Sequence, residues 1–216
     1  MRYVDAKWRL GAVAVVCAIG AGCASKPGTL AEAGRDATAP AAVAPAAPVN
    51  PAVQQAFDDA RRALMAGQAQ QAERGFRALT ESNPELGGPH ANLGLMYRQT
   101  GKLPEAVPAL ERAVQASPQQ PAYFNQLGVA YRQQGQFHKA REAYERAIAL
   151  APDYAAPQLN LAILYDLYLG DGKRALEEYE RYLALVPSGD ATVAKWVIDL
   201  RNRAPQKLAS NAKDKP

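Results

Sequence analysis

The stretch from Ala91 to Pro118, "ANLGLMYRQTGKLPEAVPALERAVQASP", is written again almost unchanged from Asn125 to Pro152 as "NQLGVAYRQQGQFHKAREAYERAIALAP". Leu93-Gly94 matches Leu127-Gly128, Tyr97 matches Tyr131, Gly101 matches Gly135, Ala106 matches Ala140, Ala113 matches Ala147 and Pro118 matches Pro152, all at an offset of 34 residues. A fixed period of that length restricts the chain to a repeat architecture, in which one unit is too small to bury its own apolar face. One period further on stand Leu161-Ala162 and Tyr165, after which the turn Leu169 to Gly172 is expected to absorb one extra residue before Ala175, Tyr179, Tyr182 and Pro187. One period back lies a weaker copy with Ala60, Gly67, Ala72, Phe76 and Pro84. Four copies therefore run from about 53 to 189.

Each copy reads as two helices. Leu93 and Tyr97 stand four apart, as do Leu127 and Tyr131, so each pair shares one helical face. Gly94 and Gly128 fall inside that first helix, where glycine costs roughly 1 kcal/mol relative to alanine, so a close neighbour must exclude a side chain there. Gly101 and Gly135 fall where the helix ends. A second helix follows with Ala106, Leu110, Ala113 and Val114, or Ala140, Tyr144, Ala147 and Ile148, and stops before Pro118 or Pro152.

This spacing of Leu-Gly, Tyr, Gly, Ala, a large apolar residue, Ala and Pro resembles the tetratricopeptide repeat. The resemblance implies an all-α, right-handed superhelical solenoid of about four helix pairs: copies at 53–86, 87–120, 121–154 and 155–189. The first copy departs from the pattern at Ala60, Ala63 and Leu79, and the last at Ala162, Tyr182 and its extra residue. The segment 190–204, with Val193, Trp196, Val197 and Leu200 on one face, is expected to cap the last pair, ahead of a disordered basic tail at 205–216.

The chain begins "MRYVDAKWRLGAVAVVCAIGAGCAS", with Arg2, Lys7 and Arg9 ahead of the apolar run Leu10 to Ile19 and small residues behind it. That layout is a secretory signal over 1–22, too short for a comfortable transmembrane helix. "GAGC", Gly20 to Cys23, resembles the lipobox of bacterial lipoproteins, although Gly20 stands where that family usually has leucine. The resemblance makes Cys23 the lipid-modified first residue, and Ala24 behind it favours the periplasmic face of the outer membrane. Loss of the signal would discard Cys17 and leave no intrachain disulfide. The stretch 23–52 then reads as an extended Ala/Pro-rich spacer, with Pro40, Pro45, Pro48 and Pro51. At about 3.1 Å per residue if polyproline-like, it gives a reach of tens of ångströms.

The net charge of +4 falls to +2 without residues 1–22, and no interleaving of aromatic and basic residues of an RNA-binding type appears, so nucleic acid is not an expected partner. No catalytic constellation emerges. The two histidines, His90 and His138, lie in different copies. His138 with Glu142 could make half a metal site, but no third ligand of matching spacing is visible, and a solvent-facing pair is the simpler reading. There is no G-x-S-x-G elbow and no phosphate-binding glycine motif, while Gly170 to Gly172 reads as a turn. The expectation is a non-catalytic protein with no cofactor and no metal.

What remains is a surface. In the tetratricopeptide family the first helices of successive repeats line a concave groove that holds a peptide or helix of a partner. The matching positions here are Asn92, Leu95, Arg98 and Gln99, then Asn125, Gln126, Val129, Arg132 and Gln133, then Leu159, Asn160, Ile163 and Asp166. Phe57, Asp58 and Arg61 match in the first copy. Asn and Gln can satisfy the backbone of an extended segment, and Arg98 and Arg132 can hold carboxylates. Alternatively, Asn92 and Asn160 tie helices together, as such asparagines do throughout the family. The family's complete Lys and Asn clamp for chaperone C-termini is absent. The stretches "ILYDLYLGDGKRALEEYERYLAL" and "KWVIDLRNR" are similar to repeat proteins of TonB-type energy-coupling systems. Pilus-assembly lipoproteins and adaptors for peptidoglycan hydrolases or proteases share the layout. The expected protein is thus a lipid-anchored scaffold for an envelope complex.

Overall fold

The computed structural model describes the backbone of residues 50–213 and side chains as far as Arg203. The signal peptide, Cys23 and nearly all of the expected spacer lie outside these residues.

Four helix pairs follow one another: α1 (Pro51–Met65) with α2 (Ala69–Ser82), α3 (Gly87–Gln99) with α4 (Leu103–Ala116), α5 (Pro121–Gln133) with α6 (Phe137–Leu150), and α7 (Ala155–Leu164) with α8 (Gly172–Leu185). A final helix, α9 (Ala191–Lys213), packs on α8. Each second helix also touches the first helix of the next copy, so the pairs stack as a solenoid, as the repeat pattern requires.

The first helix starts inside the expected spacer. The Asn50 side chain accepts a hydrogen bond from the Ala52 amide (2.9 Å), and Pro51 occupies the first helical position, where its missing N–H costs nothing. The spacer therefore ends before Asn50, not at 52. At the other end, α9 continues through Pro205 to Lys213 instead of stopping at 204. Gln206, Lys207, Leu208 and Ala209 are good helix formers, and the helix runs on past Pro205.

The requirement for Gly94 and Gly128 is met inside each pair. A Cβ built on Gly94 would lie 2.5 Å from Leu110 Cγ, and one on Gly128 would lie 2.5 Å from Tyr144 Cε1. Leu110 and Tyr144 are fully buried, so neither has room to retreat. At the helix ends, Gly101 and Gly135 have φ of 75° and 78°, and the residue after each closes the helix: Lys102 N–H donates to the Tyr97 carbonyl (2.8 Å) and Gln136 N–H to Tyr131 (2.9 Å).

The extra residue of the fourth copy sits elsewhere than expected. Tyr165–Leu169 form a π-helical turn continuous with α7, and only then does Gly170 take its left-handed conformation (φ 68°). Asp171 N–H still reaches the Tyr165 carbonyl (3.0 Å), as its counterparts do, but across one more residue. The helix end and the Asp171 cap, which accepts from Arg174 N–H (3.0 Å), are thereby both kept, and the surplus is taken up as a bulge within the helix rather than in the turn.

Among the described residues two apolar clusters form the interior. One joins the first copy to Leu93, Met96, Tyr97 and Ala106. The larger runs from Val107 and Leu110 to α9, where Val193, Val197 and Leu200 are buried. Trp196 differs from its expected neighbours: it is 37% exposed and meets the edge of the stack, its ring 5.7 Å from that of Tyr179. Val193, Val197 and Leu200 occupy the centre of the buried stripe, and a residue three after Val193 falls on its margin.

Candidate functional site

The first helices stand side by side, α3 touching α5 and α5 touching α7, so the positions from Asn92 to Asp166 lie on consecutive neighbouring helices. What their polar groups do divides them into two sets.

The first set is already engaged. Asn92 Nδ2 donates to the Gly88 carbonyl one turn back (2.9 Å). Asn160 Nδ2 donates to Asn125 Oδ1 (2.9 Å), and the buried Asn125 donates in turn to the Tyr154 hydroxyl (3.3 Å), a chain that ties α7 to α5. Asp166, its side chain 9% exposed, lies 3.8 Å from Arg203 of α9 and 3.5 Å from the Tyr179 hydroxyl. Val129 and Ile163 are partly buried against the large core, as is Leu159. These contacts account for Asn92, Asn125, Asn160 and Asp166 as ties between or within helices.

The second set keeps free capacity. Gln99 and Gln133, one period apart, are exposed, and Leu95 is half-buried. Arg98 donates to Gln126 Oε1 (3.3 Å), which links α3 to α5, and Arg132 lies 5.6 Å from the Tyr168 ring centre. The Tyr168 ring also stacks at 4.9 Å on Phe137. Tyr144 is fully buried, and the positive charges of Arg132 and Arg98 act on its hydroxyl. Burial pushes that hydroxyl's pKa above its ordinary value, so it stays neutral. In the first copy Phe57 stacks edge-on with Phe76 (5.7 Å), while Arg61 and Asp58 are 4.0 Å apart.

Sequence reasoning missed Tyr144, Tyr154 and Tyr168. A tyrosine at the position of Leu110 was the available signal for the first, since a phenol in a core needs a polar end point. Tyr168 could not be placed without the π-helical turn.

His90 Nε2 lies 3.1 Å from the Pro84 carbonyl, and His138 and Glu142 are both exposed. Among the described residues no three or more His, Cys, Asp or Glu gather in a way that could hold a metal. No described helix is long and apolar enough to cross a membrane.

The tetratricopeptide repeat family profile matches residues 86–153 and 119–188. Among solved structures, MamA from Desulfovibrio magneticus RS-1 is similar at 17% identity, with 75% of this chain and 91% of that one covered and a TM-score of 0.64. Pseudomonas aeruginosa PilF is similar at 20% identity over 74% of this chain and 72% of its own, with a TM-score of 0.63. A thermophilic tetratricopeptide-repeat protein of Thermus thermophilus matches at 26% identity over 73% and 81%, with a TM-score of 0.53. No curated protein matches the chain.

Proposed function

The chain carries tetratricopeptide repeats, which the family profile matches over residues 86–188, and from that premise we propose that it is a non-catalytic scaffold that holds a segment of a protein partner against the face lined by α3, α5 and α7. One observation carries the reading. On that face Gln99 and Gln133 recur at the same position of consecutive copies, exposed and with both amide donors and acceptors available, beside the half-buried Leu95 and Val129. Regularly spaced amides flanked by apolar contact suit the backbone of an extended or helical segment, whose N–H and C=O groups need partners as they leave water. The fold alone does not choose a client.

Cys23 as a lipid anchor, a spacer from there to the first helix and a periplasmic position at the outer membrane complete the proposal; the charged, apolar and small-residue order of 1–23 supports them. The client we favour belongs to a TonB-type energy-coupling complex, on the similarity of the stretches 163–185 and 195–203.

The test is crosslinking in intact cells with mass spectrometry, comparing wild type with Gln99→Arg, Gln133→Arg, which places bulk and charge on the face without touching the core. Selective loss of one partner supports the groove, and that partner's identity names the complex. An unchanged partner set places binding elsewhere. For the anchor, Cys23→Ser should abolish fatty-acid labelling and release the protein from membrane fractions; unchanged labelling removes the lipid from the account.

A further inference from the structure

Arg98 and Arg132 occupy the same position of the second and third copies, on helices that touch. Neither forms an ion pair among the described residues, whereas Arg77, Arg174, Arg181, Arg201 and Arg203 each do. Both are half-buried, and the Nε of each is shielded from solvent with no acceptor. The buried Tyr144 hydroxyl feels both positive charges. Burial, together with the like charge of Arg132, holds the Arg98 guanidinium below its ordinary pKa. Two guanidinium Nε–H donors left without acceptors on neighbouring helices are costly to a fold, at roughly 1–3 kcal/mol for each unsatisfied group.

We propose that Arg98 and Arg132 form one carboxylate-binding point on the inner face, which takes the Asp or Glu side chain of an acidic segment in a protein partner. This rests on the scaffold reading and gives its client a chemistry. A carboxylate has two oxygens and about four acceptor sites, enough to receive both guanidinium forks. Gln126, bonded to Arg98, holds that fork across the gap between α3 and α5, and the Tyr168 ring backs Arg132. Arginine suits the task because its planar fork is pre-organised and keeps its charge when partly desolvated. The acid belongs to a side chain and not to a chain terminus because the face continues past the arginines on both sides. Gln99 and Gln133 stand ready for backbone on either side of the acid, and α7 extends the face beyond α5.

The test follows the arginine Nε–H signals of the full-length chain in detergent by nuclear magnetic resonance during titration with three pentapeptides. The first is acetyl-Gln-Ala-Glu-Ala-Gln-amide, the second its neutral Gln counterpart, and the third that neutral peptide with a free C-terminus. The expected result is a saturable shift of the Arg98 and Arg132 signals with the Glu peptide, at about tenfold higher affinity than with the neutral one, the worth of one charge-assisted bond. Arg132→Gln should remove that advantage, and Arg132→Lys, which keeps the charge but loses the fork, should retain part of it. Equal responses to the Glu and neutral peptides, or binding by the free C-terminus alone, overturns the proposal. If the peptides fail while Gln99→Arg, Gln133→Arg still loses its partner in cells, the scaffold reading survives and the carboxylate point falls. If that partner is also unaffected, both fall.

Discussion

The first helix pair and the third make the same contact with the donor of space reversed. In the third pair Gly128 of α5 gives up its side chain so that Tyr144 of α6 can lie across it. In the first pair α1 keeps a side chain, Ala60, and it is α2 that yields: a Cβ on Gly75 would lie 2.9 Å from Ala60 Cβ. Phe76, next to Gly75, fills the position of Tyr144 and is equally buried. What the repeat conserves physically is therefore a close approach of two helices, and either helix can supply the missing methyl. The two pairs also belong to different apolar clusters, the first pair to the smaller one and the third to the cluster that runs to α9.

The largest test of that difference removes the buried ring from each pair. Tyr144→Ala and Phe76→Ala should each cost about 3–5 kcal/mol. Their consequences should differ, because a stack of repeats can lose an end without losing its middle. Hydrogen exchange should show Tyr144→Ala lowering protection from α4 to α9, while Phe76→Ala exposes α1 and α2 and leaves α5 to α8 protected. Uniform loss in both variants would mean that the two clusters unfold as one. Smaller in size is the exchange of the methyl itself. Gly128→Ala meets a ring with no room to move and should cost about 1–3 kcal/mol in urea unfolding, even after alanine's better helix propensity is counted. Gly75→Ala should also destabilise, but adding Ala60→Gly should recover most of the loss, since the pair then copies the arrangement of Gly128 and Tyr144. A double variant whose cost is the sum of the singles would refute the reversal, because contacting residues should couple by at least about 0.5 kcal/mol.

These contacts also show why some of the molecule could be read in the sequence and some could not. The period, the paired helices and the need for a close neighbour at Gly94 and Gly128 follow from residue type and spacing, which are local. Asn50 and Pro51 were equally legible as a helix start, but the proline-rich composition around them pointed to spacer. The extra residue before Gly170 was visible as a count, yet a turn and a π-helical bulge accept it alike, and only the kept bonds of Tyr165 and Asp171 choose the bulge. On the inner face, the positions themselves followed from the period. Which of them retain capacity depends on partners about one period or more away, such as Asn125 for Asn160 and Arg203 for Asp166, and no local pattern carries that information.

The smallest effect lies at the other end of the stack. The position before the large buried residue is Gly75, Ala109 and Ala143 in the first three copies, but Glu178 in the fourth. Its Oε1 receives Arg181 Nη1 at 2.7 Å, while its Oε2 is buried without a partner. Burial raises the carboxyl pKa above its ordinary value, more than the exposed Arg181 lowers it. For an acid whose folded pKa is raised, the protonated form is the one favoured by the fold. Its stabilisation is fully present below the unfolded pKa, about 4.3, and is lost as pH rises through the folded value. At neutral pH the protein therefore carries a desolvated charge that its counterparts in the other copies do not. Glu178→Gln, which mimics the protonated group at every pH, should stabilise the fourth pair at pH 7 by about 0.5 kcal/mol, allowing for the lost contact with an exposed arginine. The advantage should shrink toward zero as pH falls below about 4. Paired urea titrations of wild type and variant at pH 7 and pH 4 measure it. A variant less stable at pH 7 would show that the Arg181 pair outweighs desolvation, and that the fourth copy departs from the small-residue pattern to its own benefit.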